Sequence, residues 1–424
     1  MMVNKIDIEE FINKSLFLLG AGFSKPAGCK VSSEMLDDLR IRIQNDNDIT
    51  FNKIEKESFN FLLSCLSYHC EWRSIQSGGK FKFSPNIEEL ILLMRRIKDR
   101  ENYLPYPVTG SWSDKLVKLE TDFNSWAIGN NYEINELFSS LEKKIKEKLL
   151  IEWLKIDKNK LSYLNPLKEY FQEYPGQVFC LDIFTINYDT VLEKYFNEIG
   201  IWTGFSNGKW VGLDSRPNLE DERGRINLYK LHGSLNWIRD EAGEVFEKEK
   251  VDAENKTIEQ DPFIIFGQGQ KTFSVEPFFS LIYYFRQLLK AKEYFFVIGY
   301  SFFDPYINNL LISATLGTNK KIIIINSQFG PEELERETND EFGECANKGY
   351  GEILVSYIKE IQKNSFYSEL PEFNVSYIKS DSLFYIPFST QEFISRYFSE
   401  SGKILIDLVK QFEDEKMKIE HPFE

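Results

Sequence analysis

Two residue types that carry much enzyme chemistry are scarce in this chain of 424 residues. Cysteine occurs five times, as Cys29, Cys65, Cys70, Cys180 and Cys345. The number is odd and no two stand as C-x-x-C, which argues against a disulfide framework and against a structural zinc site. Histidine occurs three times, as His69, His232 and His421, so any step that needs an imidazole base has three candidates. His69 lies near Cys65 and Cys70. Adjacent residues of a helix point to different faces, so no metal site is expected there. His421 falls in a charged tail and is expected in solvent.

Long apolar runs are also lacking. Those that stand out, Leu16 to Leu19, Phe295 to Ile298 and Ile322 to Ile325, are four residues each, against the roughly 20 that cross a bilayer. No membrane span is expected. Basic charge is in deficit, with 51 Lys and Arg against 66 Asp and Glu and a net charge of −15. Such a surface repels phosphate backbones, which disfavours direct nucleic-acid binding. The opening MMVNKIDIEEF has acids where an export signal has a basic end and a long apolar stretch, so the expected location is the cytoplasm.

What is present is a large apolar complement, 42% hydrophobic and 15% aromatic, ample for a large buried core, while the length suggests two to three domains of roughly 150 residues each. Leu16-Phe17-Leu18-Leu19 stops at Gly20-Ala21-Gly22-Phe23-Ser24, and a helical pattern begins near Ser32. The glycines therefore lie between a buried strand and a helix, where backbone N–H groups and the helix dipole can hold a pyrophosphate. The fragment is not a full G-x-G-x-x-G, because Lys25 stands where a third glycine would fall. Alone it fits a tight turn packed without a ligand equally well.

Three further strands follow the same plan. Val178 to Phe184 runs into Thr185-Ile186-Asn187-Tyr188-Asp189, Tyr294 to Ile298 into Gly299-Tyr300-Ser301-Phe302-Phe303-Asp304, and Lys321 to Ile325 into Asn326-Ser327. Strands alternating with helices, each ending in Gly, Asn, Ser or Asp, predict an α/β fold: a Rossmann-like doubly wound parallel sheet whose carboxyl edge binds ligands. Residues 1–33 and 165–330 are assigned to it. Residues 34–164 read as an all-helical insertion, with Ile87, Leu90, Ile91, Met94 and Ile97 on one helical face and Ile134, Leu137, Leu141, Ile145 and Leu149 on another. Pro105, Pro107 and Gly110-Ser111-Trp112-Ser113 suggest a loop within it. Residues 331–424 form a C-terminal α+β extension, with an acidic stretch after Pro331, a helical pattern at Ile353 to Ile361, the apolar Leu383-Phe384-Tyr385-Ile386 and a last helix from Phe393 through Val409.

Taken in order, G-A-G-x-S, T-x-N-Y-D, K-L-H-G-S-x-x-W from Lys230 to Trp237, G-Y-S-x-x-D and a hydrophobic strand ending in Asn326 resemble the sirtuin superfamily, and within it the sirtuin-like domains of bacterial antiphage defence proteins. The resemblance runs from Leu16 to Ser327. It implies an NAD site with Gly20, Ala21, Gly22 and Ser24 along the pyrophosphate, Phe23 over the nicotinamide ribose, and Ser301 and Asn326 toward the adenosine half. Thr185, Asp189 and Gly299 fall on cofactor-binding positions, and Asn187 and His232 on the catalytic Asn and His. One departure matters: sirtuin deacylases carry two C-x-x-C pairs for zinc after their T-x-N strand, and this chain has none. No zinc is expected, and the peptide groove that the zinc module builds is in doubt.

With no acyl-lysine nucleophile, water is the natural acceptor at ribose C1′. The implied activity is NAD hydrolysis to ADP-ribose and nicotinamide by a defence effector. A protein deacylase and a non-catalytic NAD or ADP-ribose sensor are the rivals. Unchecked NAD loss would kill the host cell, so control by assembly is expected, as a homo-oligomer or with the HerA-type hexameric ATPase often encoded beside family members of this length.

Overall fold

In the computed structural model the described residues are 10–11, 13–76, 84–98, 112–132, 136–173, 180–197, 200–215, 225–248, 262–266, 275–315, 318, 320–326, 366–370, 375–379, 383–386 and 388–398. The expected loop at Pro105–Ser111, the acidic stretch after Pro331, the helix at Ile353–Ile361, residues beyond Phe398, Cys345 and His421 lie outside them.

The strands are β1 (Ser15–Leu19), β2 (Cys180–Thr185), β3 (Ile201–Trp202), β4 (Phe205–Ser206), β5 (Lys209–Trp210), β6 (Arg225–Lys230), β7 (Trp237–Arg239), β8 (Val245–Glu247), β9 (Tyr294–Ile298), β10 (Lys321–Ile325), β11 (Phe366–Leu370), β12 (Val375–Lys379) and β13 (Leu383–Ile386). Seven of them form one sheet in the order β13-β10-β9-β1-β2-β6-β3. Every pairing in it is parallel. From the central β1 the chain builds outward through β2 and β6, then returns to lay β9, β10 and β13 on the other side. The strand order therefore reverses between β1 and β9, where a doubly wound sheet opens a crevice at its carboxyl edge.

Side chains alternate across a strand, so each strand feeds two cores. Phe17, Leu19, Ile183, Phe296, Ile298, Ile323 and Ile325 face one buried cluster. Leu16, Leu18, Phe184, Phe295, Val297, Ile322 and Ile324 face the other. Register neighbours stack within each: Phe17 on Phe296 at 4.9 Å and Phe184 on Tyr229 at 4.6 Å between ring centroids. The doubly wound architecture expected from the apolar runs is thus present, with helices on both faces.

The first face carries the helical insertion, α1 (Ser32–Gln44), α2 (Lys53–Gln76), α3 (Ile87–Lys98), α4 (Ser113–Gly129) and α5 (Leu137–Lys144), continued by a π turn through Leu149; α6 (Asn165–Glu173) follows the insertion and leads back toward β2. α3 has Glu88 and Glu89 in its first turn and Arg95, Arg96 and Lys98 in its last, matching the helix dipole. Its stripe Ile87, Leu90, Ile91, Met94 and Ile97 is buried throughout. So are Leu137, Leu141, Ile145 and Leu149, while Ile134 is outside the described residues. Short α7 (Val191–Phe196) joins this face, and α8 (Phe278–Ala291) and α9 (Pro305–Thr315) cover the other.

The extension assigned to 331–424 needs correction in one part. Leu383–Ile386 is the edge strand of the main sheet, pairing in register with β10 from Ile322 to Ile325. The helix that follows, α10 (Thr390–Tyr397), buries Phe393, Ile394 and Tyr397 in the first core. A four-residue apolar run has no period that separates strand from helix; pairing with the four isoleucines of β10 decides it. Hairpin β11/β12 is a further element that the patterning does not foresee.

One polar knot ties the insertion down. Asp38 on α1 accepts hydrogen bonds from Lys30 Nζ at 2.6 Å, Arg42 Nε at 2.6 Å and Trp153 Nε1 at 2.7 Å. Burial alone would raise its carboxyl, but these donors hold it down at about 2. A folded-state value below the unfolded one stabilises the fold at neutral pH, and the contribution fades as pH falls from about 4 toward 2. At pH 7 Asp38→Asn is expected to cost about 2 kcal/mol in urea unfolding, and the gap from the native protein should narrow below pH 4. A gap that stays constant down to pH 3 would contradict this assignment.

Candidate active site

At the carboxyl edge, segments following β1, β2, β6, β9, β10 and β13 enclose a cleft of about 360 Å³. Its lining includes Ala21, Gly22, Ser24, Asn187, Asp189, His232, Gly299, Ser301, Asp304 and Asn326. Asn187 and His232, 45 residues apart along the chain, therefore open into one compartment. The insertion adds Asn86 and Glu88 from the start of α3, and the C-terminal segment adds Phe388, Ser389 and Thr390.

The glycine turn is built by backbone packing. A Cβ on Gly20 would stand 2.5 Å from Tyr300 Cα, and one on Gly22 would stand 2.8 Å from Gly299 Cα. Gly20 N donates to Ile298 O and Gly22 N to Gly299 O, both at 2.9 Å, so the loops after β1 and β9 touch main chain to main chain. Ala21 and Gly22 remain on the cleft wall, where a ligand meets backbone with little side chain in the way. Gly20 is not on the wall; its carbonyl holds Asn187 instead. Phe23 also departs from its expected place over a ribose. It is 3% exposed, packs edge-on against Tyr163, and belongs to the core beneath the cleft. The single helical turn Ala21–Ser24 rotates its side chain inward.

Asn187 is held rigidly. Its Nδ2 donates to Gly20 O at 2.8 Å and to Ser24 Oγ at 3.2 Å. Its backbone N donates to Thr185 Oγ1 at 3.0 Å, and that hydroxyl donates to Leu19 O at 3.2 Å. Thr185 thus positions Asn187 from behind and is absent from the lining. A carbonyl can only accept, so the contact with Gly20 O fixes the carboxamide's orientation. Both amide hydrogens are used, and Oδ1 is the atom left for a ligand, as an acceptor.

His232 follows β6 in a turn that needs Gly233, at φ +82° and with Phe263 O only 2.3 Å from where a Cβ would be. Its Nε2 lies 3.0 Å from Asp304 Oδ2, and both side chains are nearly buried. Tyr188 flanks the imidazole, its hydroxyl donating to Ile265 O at 2.9 Å. Burial, then Glu88 and Asp304, push the Tyr188 phenol well above its ordinary range, so it stays neutral. Asp189 faces the cleft, and its Oδ1 caps α7 by accepting from Val191 N at 3.0 Å.

Two residues in the motifs do more than the spacing suggests. Lys230 is 1% exposed, and its Nζ donates to Asp189 O, to Glu193 Oε1 at 2.7 Å and to Ser234 Oγ at 2.7 Å. This one cation therefore joins the loop carrying Asn187 and Asp189 to the turn carrying His232. A lysine between Tyr229 and Leu231 at the end of the strand Arg225–Lys230, directly before His232, is the signal that could have shown it. Asp304 stands before Pro305 at a helix start, an N-cap pattern legible in sequence. Ser301 is exposed on the cleft wall, and Asn326 donates through Nδ2 to Tyr300 O at 3.3 Å.

The C-terminal segment closes the site. Thr390 Oγ1 donates to Gly22 O at 3.0 Å, 368 residues back along the chain. Lys25 and Lys30 on the cleft wall are paired with Glu34 at 2.9 Å and Asp38 at 2.6 Å. Among the described residues no group of three or more His, Cys, Asp and Glu could hold a metal ion. None of the described helices is long and apolar enough to cross a membrane. In the stretch after β2, β4, β5, β7 and β8 form a small antiparallel sheet around the buried Trp237.

Residues 182–343 match the SIR2-like domain family, whose members bind NAD. The matched span holds Asn187, His232, Gly299, Asp304 and Asn326. No curated protein matches the chain.

Proposed function

We propose that this protein is an NAD glycohydrolase. The observation that carries the reading is the convergence of Asn187 and His232 on one cleft at the sheet's switch point, within a chain matched to the SIR2-like domain. The cleft suits a dinucleotide chemically. Ala21 and Gly22 would lie along the diphosphate, Ser301 and Asn326 would meet the adenosine half, and Asn187 Oδ1 would accept from a ribose hydroxyl or the attacking water. Phe23, turned into the core, drops out of the ligand set.

In the reaction the bond from ribose C1′ to the nicotinamide nitrogen breaks, and its electron pair leaves on nicotinamide, which departs neutral. A water oxygen bonds to C1′ and His232 takes the proton, giving ADP-ribose. The residues around the cleft orient the sugar and keep bulk water from competing. Purified protein incubated with NAD should release nicotinamide, and Asn187→Ala and His232→Ala should not. Equal release from all three would remove these residues from the mechanism; none from the native protein, alone or with a partner, would remove the reading.

We further propose that the enzyme is a defence effector controlled by assembly, as a homo-oligomer or with a HerA-type hexameric ATPase. The resemblance in motif order supports this. Native mass measurement of the protein alone and with such an ATPase tests it, and a strict monomer in both would defeat it.

A further inference from the structure

We propose that Asp304 is the positioning residue for His232, holding the ring in the tautomer with hydrogen on Nε2 so that Nδ1 is the proton acceptor. The inference rests on the glycohydrolase reading for its consequence, not for its geometry.

Asp304 does two things with its two oxygens. Oδ1 caps α9, accepting from Tyr306 N at 2.9 Å. Oδ2 lies 3.0 Å from His232 Nε2. An ionised carboxylate can only accept, so the hydrogen in that contact is the ring's, and in a neutral imidazole the lone pair is then on Nδ1. The carboxylate cannot swing away without uncapping the helix.

The loop that carries it is fixed independently. Tyr300 OH accepts from Asp304 N at 3.1 Å and donates to Asn308 Oδ1 at 2.9 Å. Asn308 Nδ2 donates to Phe302 O at 2.6 Å, which holds Phe302 at φ +54°, a conformation a bulky side chain rarely adopts. A strained residue locked by buried hydrogen bonds on the loop that delivers Asp304 fits a site built for placement rather than for stability alone.

Asp304→Asn makes the test sharp. The cap still requires Oδ1 on Tyr306 N, because an NH2 there would face an N–H. Nδ2 is therefore left beside His232, and a donor beside Nε2 makes Nε2 the lone-pair nitrogen, moving the ring hydrogen to Nδ1. During hydrolysis the proton from water would then have no acceptor at Nδ1. With only three histidines, long-range proton–nitrogen NMR on histidine-labelled protein, assigned with His69→Gln and His421→Gln, reads the tautomer without any NAD.

The expected result is a pyridine-like Nδ1 in the native protein and a pyridine-like Nε2 in the Asp304→Asn variant. In the nicotinamide-release assay kcat should fall about 10²- to 10⁴-fold while KM changes by about twofold or less. A native ring with its hydrogen on Nδ1 overturns the proposal, whatever the variant does. So does Asp304→Asn retaining native kcat. A native protein inert toward NAD but showing the predicted tautomers would instead sink the glycohydrolase reading and leave the dyad standing. The native spectrum decides the assignment even if the variant does not fold.

Discussion

Asn187→Asp is expected to lower nicotinamide release from NAD by about 10²- to 10³-fold, although the two side chains have nearly the same shape. The native carboxamide donates both hydrogens, to Gly20 O and Ser24 Oγ, which leaves Oδ1 as the acceptor on a residue that lines the cleft. An aspartate has no hydrogen to give. One carboxylate oxygen would face the Gly20 carbonyl at the 2.8 Å now occupied by a donor, and the group must turn away from it. The acceptor that would meet the ribose or the water turns with it. Gly20 O keeps the bond from Phe23 N at 2.9 Å, but losing both Nδ2 hydrogen bonds, to Gly20 O and Ser24 Oγ, should also cost about 1–3 kcal/mol of stability. Single-turnover release and urea unfolding on the same preparation separate the two effects. A variant keeping at least half the native rate would show that Asn187 is only a strand-end brace.

Gly299→Ala should have the largest effect on stability, about 3–5 kcal/mol, from one methyl group. Gly299 has φ +63°, in the left-handed region. Its added Cβ would lie 2.5 Å from Phe23 N and 2.6 Å from Gly22 C, both main-chain atoms with no rotamer to yield. The loops are also tied by Gly22 N to Gly299 O at 2.9 Å, so separating them breaks that bond and widens the cleft floor. Ser301→Ala, two residues on and exposed, is the control and should stay within about 0.5 kcal/mol. A Gly299→Ala protein less than 1 kcal/mol below native in urea unfolding would mean that the two loops do not pack as closely as described.

Much of the candidate site could be read from the chain because parallel strands buried on both faces are unbroken apolar runs, and their carboxyl ends are marked where the apolar run stops. Leu16–Leu19 ending at Gly20 and Tyr294–Ile298 ending at Gly299 are of this kind, and the run before Thr185 is broken only by the buried Asp182. Lys230 was less legible, since a lone lysine suggests solvent until Asp189, Glu193 and Ser234 are seen around it. Phe23 lies in the expected motif, yet its ring turns toward Tyr163. The edge strand β13 and the contact of Thr390 with Gly22 link residues hundreds of positions apart.

The amino-acid order alone determined that this chain forms a wound parallel sheet with polar residues at the strand ends, because periodicity and turn residues act over a few neighbours. Only the folded molecule decided which atoms face the cleft. That Asn187 presents an oxygen, that His232 leans on Asp304 and that Phe23 serves the core follow from pairings between distant segments, which the burial of two opposite sheet faces brings into contact.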